Sequence, residues 1–393
     1  MEIRPAAIAA EYNPFHNGHA YHISKTRELY GATHIVAIMS GCFVQRGDCA
    51  CLRPHTRAQM AIASGADLVI QLPLPWALAP AERFARGAVH LADALGCVRL
   101  LSFGSESGDI DSLSLVAELS DKEETLDDLH KNLSRGMSYP AARQAALSSV
   151  APQLSELIAS PNDTLGIEYI RALKSFGSSI EPVCVKREGD RHDGNQPVDS
   201  YASASFLRNI LQSVELNRYI PHKSLQLMTA DLQAQKAPFL LSRLESAMLY
   251  RLRTMSKEEI ASLPDLSEGL ENRIYKAIRE NCSISDIISA IKTKRYTHSR
   301  IRRILLSALL GINRTHCEGM PPYIRIMAMN KKGRELLSQP NLPVISRISD
   351  FEKLDDKCRE IFELELKASD IFALAAPTPM ECGSEARHRL TVV

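Results

Sequence analysis

Five short apolar runs recur in the first half of the chain, at residues 6–10, 34–39, 67–72, 98–103 and 181–186. Between them, residues 18–30, 56–64, 81–95 and 163–176 carry helical spacing, and 111–149 reads as further helix with no strand-like stretch. Alternation of this kind specifies a parallel sheet covered by helices. After about Leu211 the strand signals fade and helix dominates, with good helical periodicity at 240–255 and 299–312. The expected fold class is therefore α/β over residues 1–210, followed by a mainly α-helical domain over 211–393. No internal repeat or low-complexity linker separates them.

Charge follows the same division. The whole chain has a formal net charge of +1, which by itself argues against coating nucleic acid by bulk charge. Residues 1–210 carry 19 basic and 24 acidic groups, whereas 211–393 carry 28 and 22. Within the second part, residues 273–334 hold 14 basic groups against three acidic ones. A hydrophobic content of 45% with 24% charged residues suits a folded soluble chain. No stretch reaches the ~18 consecutive apolar residues of a membrane span. Nine scattered cysteines, an odd number in a long chain, fit reduced thiols and a cytosolic location better than a disulfide framework.

The chemistry concentrates directly after the first run, in Glu11-Tyr12-Asn13-Pro14-Phe15-His16-Asn17-Gly18-His19. A strand that ends in a loop and then opens a helix presents backbone N–H groups to a phosphate. His16 and His19 fall on one side of the first helical turn, and Gly18 lets a ligand approach the backbone. Two imidazole donors there can stabilise charge that builds on a phosphoryl group. Metal ligation by His16, His19 and His22 is the competing reading, but no carboxylate or cysteine makes a zinc spacing with them. Surface histidines in a turn are the other. Further on, Ser203-Ala204-Ser205-Phe206-Leu207-Arg208 offers a hydroxyl at a helix start with a cation about a turn later, which serves as an ordinary cap or as a phosphate grip.

The H-x-G-H pattern resembles the signature of the adenylyl-transferring superfamily that includes class I tRNA synthetases and small-molecule nucleotidyltransferases. Longer stretches resemble one family closely, the bacterial tRNA(Met) cytidine acetate ligases. These are residues 10–19, 41–48, 57–73, 84–87, 103–109, 160–169, 185–188, 294–303 and 368–374. The resemblance implies a Rossmann-like HxGH nucleotidyltransferase domain. It also implies synthesis of N4-acetylcytidine at the wobble position of elongator tRNA(Met) from ATP and acetate, through acetyl-adenylate, with Mg²⁺ as the expected companion of ATP.

By the same resemblance His16 and His19 are catalytic. ATP contacts are implied for Ala10, Glu11, Tyr12, Asn13, Pro14, Phe15, His16, Asn17, Gly18, His19, Ala20 and Tyr21, then Gly104, Asn162 and Arg187, with Ser203 and Arg208 on the phosphates. Gln45 and Arg46 read as substrate-side groups or as loop packing. The sequence departs from the family pattern at Cys42, where Asn is usual, and at Leu52-Arg53-Pro54-His55. The Cys49-x-Cys51 pair reads as two ordinary thiols.

Lys292, Lys294, Arg295, Arg300, Arg302 and Arg303 cluster within twelve residues without an acid, and from Ser299 the residues Ile301, Ile304, Leu305 and Ala308 make one apolar helical face, leaving the arginines largely on the other. They are expected to contact tRNA phosphates, with Tyr296 available to stack on a base. Two rivals use the same features: a small-molecule adenylyltransferase of cofactor synthesis, which needs no basic helical half, and a non-catalytic RNA-binding protein.

Overall fold

The computed structural model describes residues 3–188, 197, 199–267, 269–388 and 390–392, the side chains of 352 and 353 excepted. The strands in chain order are β1 (Pro5–Ala10), β2 (His34–Ser40), β3 (Phe43–Val44), β4 (Asp48–Cys49), β5 (Leu68–Leu72), β6 (Leu100–Ser105), β7 (Glu181–Lys186), β8 (Ile324–Met329), β9 (Val344–Ile345) and β10 (Thr391–Val392). Eight of them form one sheet in the order β10-β8-β5-β2-β1-β6-β7, with β9 beside β8, while β3 and β4 make a separate hairpin.

Pairing is parallel from β5 through β7. From β1 the chain winds outward through β2 and β5 on one side, then returns to lay β6 and β7 on the other. The winding direction thus reverses at β1, and a doubly wound sheet opens its ligand crevice at such a point, beyond the carboxyl ends of the strands. The residues that follow β1, and those at the end of β6, face that crevice.

The apolar runs become strands because helices cover both faces of the sheet, which leaves few polar alternations to find. On one face, side chains of the helices Ala81–Ala94, Ile110–Ser120 and Pro161–Phe176 join those of the sheet in a single core. On the other face the helices Asn17–Tyr30, Pro54–Ala63 and His222–Gln233 do the same. A third core lies within the helical part. It draws on Glu245–Thr254, Leu270–Glu280, Ile284–Ile291, His298–Leu310 and Asp356–Ala373, and also on Phe43 and Cys49 of the hairpin.

One expectation is corrected. Strand structure does not end with the first half, because Ile324–Met329 inserts as β8 antiparallel to β5. Its six residues alternate poorly, and Arg325 interrupts the apolar run. That cation is neutralised far along the chain by Glu385, 2.5 Å away. Burying a charge is costly unless it is paired, so the distant partner lets this segment sit in the sheet.

Candidate active site

The crevice beyond β1 and β6 holds a cavity of about 380 Å³, the size of a small-molecule site. Its walls come from the loop after β1, the start of the helix Asn17–Tyr30, the β3–β4 hairpin, the ends of β6 and β7, and the helix Ala204–Asn209.

Arg57 fixes the loops. It is fully buried, and its guanidinium donates to the carbonyls of Glu11 (2.5 Å), Ser40 (3.1 Å), Gly41 and Leu52 (3.2 Å). One cation thereby ties the end of β1 to the end of β2, satisfying carbonyls that would be costly to bury unpaired. Asn13 Oδ1 accepts from the Cys51 backbone N–H at 2.8 Å and fixes the same loop from a third side.

His16 caps the helix. Its Nδ1 accepts from the Gly18 N–H at 3.1 Å, and His19 Nδ1 accepts from the His16 N–H at 3.2 Å. The two rings stack at 3.7 Å between centroids. An imidazole whose Nδ1 accepts carries its proton on Nε2 when neutral, so each ring offers an Nε2–H donor. Burial, with help from the nearby Arg187, holds the His16 pKa down to about 3 and the His22 pKa down to about 4. His19 is lowered by burial and by the charges of His16, Arg187 and His22. At neutral pH all three are uncharged. His22 Nε2 lies 2.9 Å from Ser102 Oγ, which lies 2.7 Å from Thr26 Oγ1. Thr26 donates to the His22 carbonyl, so Ser102 donates to Thr26 and receives the His22 Nε2–H.

Most of the expected nucleotide residues meet here. Ala10, Glu11, Tyr12, Asn13, His16, Gly18, His19, Tyr21, Gly104, Asn162, Arg187, Ser203 and Arg208 all line the cavity. Pro14, Phe15, Asn17 and Ala20 do not. Phe15 is buried in the core, and Asn17 Nδ2 donates to the carbonyls of Ser200 and Arg218, each at 3.0 Å. These two hold the loop rather than face a ligand.

Ser203 caps its helix by accepting from the Phe206 N–H at 3.1 Å. Arg208 donates to the Asn13 carbonyl (2.9 Å) and to Ser205 Oγ (3.1 Å), which links that helix to the histidine loop. Asn162 is oriented by Glu106, 2.6 Å from its Nδ2. Two wall hydroxyls, those of Tyr12 and Tyr169, are buried and have no hydrogen-bond partner among the described residues. Glu188 accepts from the Tyr21 hydroxyl at 2.9 Å at the far end of the cavity.

Gln45 and Arg46 also line the cavity, and Gln45 does more than fill a loop. Its N–H donates to Glu11 Oε1 at 2.9 Å, and its carbonyl accepts from Arg303 at 3.4 Å. Cys49 and Cys51 are buried free thiols.

The basic helix divides into two groups. Lys292, Lys294 and Arg295 are exposed near its start. Arg302, also exposed, lines the cavity itself. Arg300 and Arg303 are half-buried and turn to Asp265, Arg300 to its carbonyl at 2.7 Å and Arg303 to its carboxylate at 3.0 Å. Tyr296, expected to stack on a base, is instead packed in the helical core with Arg300 5.3 Å above its ring. Its ring is already covered, so it offers no face to RNA. Asp48 and the entry of Arg302 into the cavity were not legible in the sequence, since both follow from a hairpin of two-residue strands.

Comparison with known proteins agrees with this geometry. The HIGH Nucleotidyl Transferase family pattern matches residues 3–386. A tRNA(Met) cytidine acetate ligase of Thermoanaerobacter sp. (strain X514) is 37% identical over 397 residues, 98% of each chain. A protein of the same name from Acetivibrio thermocellus is 35% identical over 394 residues, 95% of each chain. Thermotoga maritima TmcAL, solved bound with alpha-thio ATP, matches with a TM-score of 0.90 at 32% identity over 99% of this chain and 100% of the other. Its apo form matches at 0.93 and 31% with the same coverage. By sequence over nearly its full length and by fold, the chain belongs to the tRNA(Met) cytidine acetate ligase family of HIGH-type nucleotidyltransferases.

Proposed function

We propose that the protein is an ATP-dependent acetate ligase that forms N4-acetylcytidine at the wobble position of elongator tRNA(Met). The observation that carries this reading is the meeting of two features on one cavity. The neutral donors His16 and His19 stand beside Arg187 and Arg208, and Arg302 reaches the same space from the basic helix.

In the first step an acetate oxygen attacks the α-phosphorus of ATP, the bond to the β-phosphate bridging oxygen breaks, and pyrophosphate leaves. The Nε2–H groups of His16 and His19 donate to the phosphoryl oxygens as charge builds there, and Arg187 and Arg208 offset the charge of the leaving group. Because the imidazoles are neutral beforehand, binding the anion costs them no proton exchange. Positioning supplies the rest. Mg²⁺ is usually held by substrate phosphates with one or two carboxylates, and Asp48 on the wall would be the protein's contribution. It would screen the triphosphate charge.

Residues 1–210 thus carry the ATP chemistry, and 211–393 grip the tRNA through Lys292, Lys294, Arg295 and Arg302. A wobble base lies in a single-stranded loop, so turning it into a pocket costs only a few kcal/mol. The substrate implies a cytoplasmic site of action, and no helix among the described residues is long and apolar enough to cross a membrane.

The deciding experiment incubates the protein with ATP, labelled acetate and unmodified tRNA, then digests the RNA and looks for acetylcytidine. Labelled nucleoside is the expected result. Absence of product with acetate, alongside turnover of another acid or of a phosphate ester, refutes the reading in favour of a small-molecule adenylyltransferase.

A further inference from the structure

We propose that Glu11 is the base that takes the proton from the cytidine amine in the second step, an inference that rests on the function proposed above. In that step the exocyclic nitrogen forms a bond to the acetyl carbon, and the bond from that carbon to the AMP oxygen breaks. AMP leaves with the electron pair, and the nitrogen must shed one proton. Water is a weak base for this proton, so a positioned wall group is needed.

The histidines are already committed. His16 and His19 each use Nδ1 to accept a backbone N–H, which leaves Nε2–H as a donor with nothing to accept a proton. His22 gives its Nε2–H to Ser102, and burial beside Arg187 opposes a second proton on the ring. Burial acts in the opposite sense on a carboxylate, where a proton removes charge instead of adding it.

Among the described residues, three carboxylates line the cavity: Glu11, Asp48 and Glu188. Glu188 is exposed and takes the Tyr21 hydroxyl at the end of β7. Asp48 is turned to the Cys49 N–H, 2.8 Å away, and stands among Arg208 and Arg302. Glu11 follows β1 directly, at the point where the sheet reverses, five residues ahead of His16. The Gln45 N–H holds its Oε1 at 2.9 Å, and its other oxygen has no hydrogen-bond partner among the described residues.

Burial raises the Glu11 pKa, while the Gln45 N–H and the charges of Arg46, Arg208 and Arg57 keep it from rising further. Tyr169, from the helix Pro161–Phe176, shares the cavity wall and lies near enough to feel the carboxylate's charge. Burial thus makes the carboxylate gain from taking up a proton, as a general base requires. Access supports the assignment as well. Gln45 is held by Arg303, and the residue before it in sequence, Arg302, lines the cavity. A base delivered along the basic helix reaches the hairpin, and the hairpin presents Glu11.

The test separates the two steps in Glu11→Gln, Glu11→Asp and Asp48→Asn variants of the full chain. Acetate-dependent exchange of pyrophosphate into ATP reads the first step. Single-turnover transfer from authentic acetyl-adenylate to unmodified tRNA reads the second, over a range of pH. The expectation for Glu11→Gln is a transfer rate lower by roughly 100- to 10,000-fold with exchange reduced less than about tenfold. The acidic limb of the wild-type transfer profile is lost in Glu11→Gln and retained, at reduced rate, in Glu11→Asp. Equal loss of exchange and transfer would make Glu11 a strut of the loop and overturn the assignment. So would wild-type transfer by Glu11→Gln, or the selective loss appearing in Asp48→Asn. If the unaltered protein shows no exchange with acetate, the functional reading itself fails, and this inference with it.

Discussion

Replacing Gly47 with alanine probes how the hairpin is held over the cavity. Gly47 sits at the tip of the β3–β4 turn with φ +76, a left-handed conformation that costs a side-chain-bearing residue roughly 1–2 kcal/mol. A Cβ added there would also lie 2.6 Å from Arg302 Cβ and 2.8 Å from the Arg303 backbone nitrogen. Backbone cannot swing aside as a flexible side chain can, so the tip must lift from the helix His298–Leu310. Overpacking of this kind costs roughly 1–3 kcal/mol, which brings the total to about 2–5 kcal/mol. Gly311 closes the same helix with φ +74 and has nothing within 4 Å of its added Cβ. Gly311→Ala therefore carries only the conformational part, about 1–2 kcal/mol. Equilibrium denaturation of both variants isolates the contact by difference. Pyrophosphate exchange and acetyl transfer, measured alongside, register a tip that lifts locally without global unfolding. If Gly47→Ala matches Gly311→Ala in stability and in both rates, the hairpin is not seated on the helix and the link from Arg303 through Gln45 to Glu11 does not exist.

Acid should destabilise the fold through its site histidines. Their folded pKa values, about 3 for His16 and about 4 for His22, lie below the unfolded 6.5, so the unfolded chain binds protons first as pH falls. The stability they contribute is complete above pH 6.5 and is lost downward toward pH 4, at about 1.4 kcal/mol per pH unit per group. Glu365, raised to about 7 by burial, slopes the other way in the same window, so the difference between variants is the useful quantity. His22→Gln should flatten the acid limb by one group's share, and an unchanged limb in denaturant midpoints would refute the buried neutral histidine. For the proposed RNA face, alanine at Lys292, Lys294 and Arg295 together should lower the slope of log K for tRNA against log salt by roughly 0.7–0.9 per lost contact. A slope equal to that of the parent protein in filter binding would place the RNA elsewhere.

The strands of the first half were legible because both of their faces are buried. A run such as 34–39 has no polar face to disguise it, and it appears as β2, one residue longer. The residues 181–186 coincide with β7. His16 and His19 were legible for a different reason, since a cap and its helix are local in sequence. What stayed hidden depends on partners far along the chain. β8 needs Glu385 to neutralise Arg325 across 60 residues, and Arg300 and Arg303 need Asp265 across 35 and 38. A run of arginines read alone looks like a solvated or RNA-facing surface. Two of its members are instead braces, and a third enters the cavity. Glu11 looked like one member of a loop until Gln45, 34 residues later, fixed one of its oxygens and left the other without a partner among the described residues.

The hairpin also explains why the two halves cannot be understood apart. Side chains alternate across a strand, and here the alternation divides two environments. Phe43 pairs with Cys49, and both enter the core of the helical part, where Phe43 meets Phe372 at 5.9 Å between ring centroids. Val44 pairs with Asp48, and both line the cavity. Four paired residues are thus wall to the nucleotide site on one side and core to the basic helices on the other. A two-residue pairing has little stability of its own, so its position is set by what packs against it. Displacing the helical core would move Gln45, and with it Glu11, without any change to a residue of the histidine motif. The chemistry at the end of β1 therefore depends on helices whose own sequence carries no nucleotide-binding signal.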